Sequence, residues 1–67
     1  MDMHTLLALG RAAHEWTKDE TLEGILARAE YSYMRWGDAS DAASLTTAIH
    51  MALIFDRHRR HRRPSLF

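Results

Sequence analysis

Proline is missing from the first 63 positions of this chain, and Pro64 is its one occurrence. A stretch of that length without the strongest helix breaker, well supplied with alanine and leucine, favours helix throughout. No segment alternates apolar and polar residues with the period of two that marks a half-buried strand. The chain is therefore predicted to be all-α.

Two interruptions divide it. Thr17-Lys18-Asp19-Glu20 fits a capping box between Thr17 and Glu20, or a later start with Asp19 as N-cap. In Trp36-Gly37-Asp38-Ala39-Ser40-Asp41, Gly37 suits a left-handed C-cap, and Asp38 or Ser40 suits the next N-cap. The spacing predicts helices near 3–16, 20–36 and 40–61. The expected fold is a small three-helix bundle, or a helical hairpin with a long third helix, completed by dimerisation. Residues 1–61 form one helical domain, and 62–67 are a basic C-terminal tail left open to disorder.

Size sharpens this expectation. A chain of 67 residues buries only about 60% of its unfolded surface, so its core is thin. Without cysteine there is neither a disulfide nor a zinc-thiolate site to reinforce it, which leaves helix packing and self-association. Hydrophobic residues at 46% and charged residues at 27% are ordinary globular values, so the chain is expected to fold. The opening MDMHTLLALGRAAHEW has no basic n-region, and Gly10 and Arg11 break its apolar run. Elsewhere the longest apolar run is positions 51–55, far short of the roughly 20 residues a membrane span needs. A cytoplasmic location is expected.

The first helix places Leu6, Leu9, Ala13 and Trp16 on one stripe, opposite His4, Arg11 and Glu15. The second places Leu22, Ile25, Leu26, Ala29, Tyr33 and Trp36 on another. The segment AEYSYMRWGD then poses a problem, because at about 100° per residue Tyr31 and Met34 point away from Tyr33 and Trp36. Gly24, Ala27, Tyr31 and Met34 form a second apolar line, edged by Glu23 and Glu30 on one side and Arg28 and Arg35 on the other. Single exposed apolar residues are common. Here, small residues followed by tyrosine and methionine match the composition of contact surfaces. Gly24, Ala27, Arg28, Tyr31, Met34 and Arg35 are accordingly the candidate partner-binding residues.

The third helix carries a wider apolar band than one neighbour needs. Leu45, Ile49, Met51, Ala52, Leu53 and Phe55 are assigned from it to a dimer interface, with Ala48 on the same band and Ile54 on the other side. The favoured function is a non-enzymatic interaction protein, an adaptor or inhibitor that binds another protein such as a regulator, acting as a homodimer.

The zero net charge conceals a polarity. Residues 1–55 hold eight acidic against four basic residues, whereas 56–67 hold five arginines against Asp56. Arg57, Arg59, Arg60, Arg62 and Arg63 support an alternative function, accessory and non-specific nucleic-acid binding. Simpler roles compete: complementing the helix dipole, offsetting the acidic body, or solubilising the end. Asp38 and Asp41 at the start of the third helix oppose a helix-turn-helix reading, since phosphate would repel that end.

His58 and His61 have a chelating i, i+3 spacing, but the arginines around them repel a divalent cation and no third ligand is near in sequence, so no metal is expected. No other cofactor and no small-molecule substrate are expected. Ser32, Ser40, Ser44 and Ser65 lack a nucleophile-elbow context, and Gly10, Gly24 and Gly37 are too scattered for a phosphate loop.

Overall fold

The structure, a computed structural model, describes residues 2–61. Three helices follow one another: α1 (Met3–Thr17), α2 (Glu20–Trp36) and α3 (Ala42–His61). There is no strand among the described residues, and the all-α class stands. Arg62, Arg63 and the tail at 62–67 lie outside the described residues.

Each boundary has a local cause. Asp2 caps α1, its carboxylate accepting from the Thr5 N–H at 2.9 Å. At the other end Lys18 takes the left-handed conformation (φ 55°) and donates its N–H to the His14 carbonyl. That geometry costs a side-chain-bearing residue about 1 kcal/mol, and it turns the chain within two residues. Of the two starts proposed for α2, Asp19 is the one used, accepting from the Leu22 N–H at 2.9 Å. Thr17 stays in α1, where its hydroxyl accepts from the Asp19 N–H. Glu20 and Glu23 in the first turn of α2 complement its dipole. Gly37, at φ 67°, ends it as expected. Neither Asp38 nor Ser40 caps α3, however. The Asp38 carboxylate accepts from the Ser40 N–H and closes a turn, and helical bonding begins with Leu45 N–H to the Asp41 carbonyl.

The helices run up, down and up, all three in mutual contact. His4 meets Tyr33 edge-on at 5.2 Å, Arg11 pairs with Glu30, and His14 stands 3.9 Å from Glu23. Position numbers that rise along α1 and fall along α2 define an antiparallel pair. The core consists of Met3, Leu6, Leu7 and Ala13 from α1, Leu22, Leu26 and Ala29 from α2, and Leu45, Ala48 and Ala52 from α3. Ile25, Tyr33, Ala42 and Ile49 close its edges. At its centre Gly10 faces both other helices: a Cβ there would stand 2.9 Å from a Leu26 methyl and 3.4 Å from a Leu45 methyl.

Several facial assignments change. Leu9 and Trp16, expected in the core, are exposed, and α1 instead buries Met3, Leu7, Gly10 and Thr17. The buried line is rotated by about a quarter turn from the one that the largest side chains indicate. Small residues such as Gly10 and Ala13 admit closer helix approach than a line through Trp16 would. On α2, Trp36 is exposed at the last helical residue, where the chain is already turning away.

Candidate functional site

Tyr31, Met34 and Trp36 are 58%, 70% and 65% exposed on one side of α2. They are not scattered. Tyr31 and Trp36 meet edge-to-face with centroids 5.6 Å apart, and the Arg35 guanidinium lies 5.8 Å from the centre of the Trp36 ring. Such contacts favour a defined arrangement of bulky side chains before any partner arrives. Beside them lies a shallow depression of about 480 Å³ lined by Ala27, Glu30, Tyr31, Met34 and Arg35. Glu30 is held at its margin by Arg11 of α1.

Of the six residues expected to bind a partner, Ala27, Tyr31, Met34 and Arg35 are thus brought together. Gly24 lies outside the depression, on an open part of the helix with nothing within 4 Å of the position a Cβ would take. Arg28 leans the other way, 3.8 Å from Asp41 at the start of α3. Trp36, which periodicity assigned to the core, belongs to this surface. Its place beside the helix-ending Gly37 is the signal that would have found it.

The six residues assigned to a dimer interface are dispersed. Leu45 and Ala52 are enclosed in the protomer's own core, at 0% and 2% exposure, and Ile49 packs against it. Leu45 and Ala52 have almost no surface left for a second molecule, because the three helices already surround them. Leu53 is exposed on one edge of α3, where Ile49, His50, Ile54 and Arg57 line a depression with it. Met51 and Phe55 are exposed on the other edge. There they line a groove of about 550 Å³ between α2 and α3, with Ile25 and small residues of α3. Sequence periodicity showed a wide band on α3 but not that α1 and α2 divide it.

The arginines near the end of α3 are partly engaged within the chain. Asp56 falls on the same line of α3 as Leu45, Ala48 and Ala52, and its side chain is buried. Arg59 and Arg60 each donate to it at 2.7 Å. The Arg60 guanidinium also lies 4.6 Å from the centre of the Trp16 ring, tying the end of α3 to the end of α1. A carboxylate followed by arginines three and four positions later is a readable helical signal that periodicity of apolar residues alone passed over. Arg57 is exposed.

Hydrogen bonds from Arg60 and then Arg59 hold the Asp56 carboxyl below the usual carboxylate range. Folding therefore favours the ionised form. Its contribution is complete above the unfolded value of about 3.9 and is lost as pH falls through the lower folded value. Acidification through that window should increase amide exchange in the last turns of α3, and Asp56→Asn should remove this acid-dependent step. Residue-resolved exchange separates this event from those at Asp2 and Asp38. Their carboxyls are also lowered, through hydrogen bonds from Thr5 and Ser40.

No group of three His, Asp or Glu side chains is placed to hold a metal ion among the described residues. Nor is any helix among them long and apolar enough to cross a membrane. Compared with protein-family models, curated proteins and solved structures, the chain matches none.

Proposed function

We propose that this chain is a non-enzymatic protein-binding module, an adaptor or inhibitor that acts by setting the outward face of α2 against another protein. The observation that carries this reading is the cluster of Tyr31, Met34 and Trp36, each more than half exposed, in which Tyr31 and Trp36 meet edge-to-face and Met34 lines the depression beside Tyr31. Aromatic residues and arginine supply most of the binding energy where proteins meet, and helix-borne side chains lose little freedom on docking. The fitting partner offers an apolar socket for Tyr31 and Met34, with polar groups to meet Glu30 and Arg35 at the rim. Charge at that rim guides encounter and selects partners, while the anchors set affinity.

Accessory nucleic-acid binding is the weaker reading. Arg59 and Arg60 are committed to Asp56, which lowers the charge that end can offer to phosphate.

Affinity capture from a lysate of the source organism tests the main reading. Tyr31→Ala with Met34→Ala should weaken capture by at least about 30-fold, on the scale of removing a binding hot spot. Because both side chains are exposed, the melting temperature should move by no more than a few degrees. Deleting residues 62–67, which keeps Arg59 and Arg60 on Asp56, should leave capture intact. Capture that survives the double substitution, or that disappears with the deletion alone, would overturn the proposal.

A further inference from the structure

The edge of α3 that faces the groove is uneven in bulk and in charge. Its first half offers Ala43, Ser44, Thr47 and Ala48, none larger than threonine, and its second half offers Met51 and Phe55 on either side of the buried Ala52. Asp38 and Asp41 flank the beginning of the helix, while Arg57, Arg59 and Arg60 crowd its last turns. A surface with small residues at one end and large ones at the other, acidic at one end and basic at the other, complements a reversed copy of itself.

We infer that a second copy of this chain occupies the α2/α3 groove, with the two α3 helices antiparallel about a two-fold axis. This surface is separate from the Tyr31 face. One register satisfies bulk and charge together. An axis midway between positions 48 and 51 sets Met51 of each copy over Ala48 of the other. The same point is midway between Ser44 and Phe55, so each phenylalanine enters the space beside the other copy's Ser44 and Thr47. Arg59 follows Asp41 by five turns of about 3.6 residues, so the two lie on one edge of the helix. A two-fold of this kind joins like edges, bringing Arg59 of each copy to the Asp41 of the other, where it would share the carboxylate with that copy's own Arg28, 3.8 Å away. Arg59 uses one terminal nitrogen toward Asp56, and a guanidinium has donors to spare for a second carboxylate. A parallel pair has none of this: it sets Phe55 against Phe55 and arginine against arginine.

The test is the mass of the full chain by sedimentation equilibrium across micromolar concentrations, with single-cysteine cross-linking. Wild type should sediment as a dimer that weakens as salt rises. Phe55→Ala should weaken association by about 30-fold or more while keeping the helical circular dichroism of the folded monomer. Tyr31→Ala with Met34→Ala should still dimerise, which keeps this inference distinguishable from the proposed function. In the antiparallel register, Met51 of the two copies is offset along the helix by about 4.5 Å, and Ala43 by about 20 Å. Mild oxidation should therefore link Met51→Cys and leave Ala43→Cys unlinked, since a disulfide spans at most about 7 Å between Cα atoms. Cross-linking at both positions would overturn the arrangement. So would a dimer indifferent to Phe55→Ala. A monomeric wild type would overturn the inference too and leave the groove to a helix of a different protein.

Discussion

Leu45→Ala should remove most of the chain's stability at 25 °C. Leu45 is completely buried, and its methyl faces Gly10 of α1 where the three helices converge. Removing a buried leucine side chain to the β-carbon costs about 3 kcal/mol, because lost transfer energy is joined by the cavity left behind. A helical domain of this length holds only about 3–5 kcal/mol in total. Helical circular dichroism and a urea titration check the result, with Leu53→Ala as the matched control. Leu53 is 44% exposed, and its truncation should cost less than about 1 kcal/mol. The comparison also separates the two roles open to Leu45. Loss of a residue at a seam between folded molecules would give a monomer of nearly unchanged stability, whereas loss from the core moves the urea midpoint of the helical signal sharply down.

That contrast shows where sequence reasoning succeeds and where it stops. The three helices were legible because their ends depend on neighbouring residues: Asp19 reaches the Leu22 N–H, and Gly37 supplies the left-handed backbone. The facing of α2 was legible in part, since Leu22, Leu26 and Ala29 stand at helical spacing and all are buried. The outward direction of Tyr31 and Met34 followed from the same geometry. What depends on a second helix was not legible. Leu9 and Trp16 share a stripe on α1 with Leu6 and Ala13, but which edge of a stripe is enclosed depends on how closely the neighbours approach. Small residues decide that, and a reading weighted by side-chain size overlooks them. The band on α3 posed the same difficulty. Leu45, Ala52, Met51 and Phe55 belong to one apolar band, and only the positions of α1 and α2 put the first two inside and the others at the wall of a groove.

The division of that band also bears on what the exposed surface is for. Leu9, Trp16, Tyr31, Met34, Trp36, Met51, Leu53 and Phe55 are all more than 40% exposed. A chain with so few core residues gains little from keeping large apolar groups in water, and contiguous patches of them mark sites of association. The Tyr31 cluster and the Met51–Phe55 edge lie on different sides of α2. One molecule can therefore present the first to a partner while the second is covered by its own copy.

Gly10→Leu should destabilise the fold by about 3 kcal/mol, the upper end of the penalty for overfilling a packed core. The glycine lies mid-helix, where leucine is intrinsically better by about 1 kcal/mol, so helix propensity alone predicts a gain. Space reverses the sign. A bare Cβ already approaches a Leu26 methyl to 2.9 Å and has Leu45 and Ile49 methyls at 3.4 and 3.7 Å. A full leucine side chain would have to push α1 off both neighbours. Gly10→Ala should fall within about 1 kcal/mol of wild type, because its gain in propensity is offset by displacing one methyl at the end of Leu26. Gly24 is the counterpart: it too is helical, but nothing lies within 4 Å of the Cβ position. Gly24→Ala should therefore stabilise the free protein by about 1 kcal/mol. Urea unfolding of the three variants decides between the two accounts, since propensity alone ranks every one of them above wild type. Close packing of α1 at Gly10 instead places Gly10→Leu far below wild type and only Gly24→Ala clearly above it.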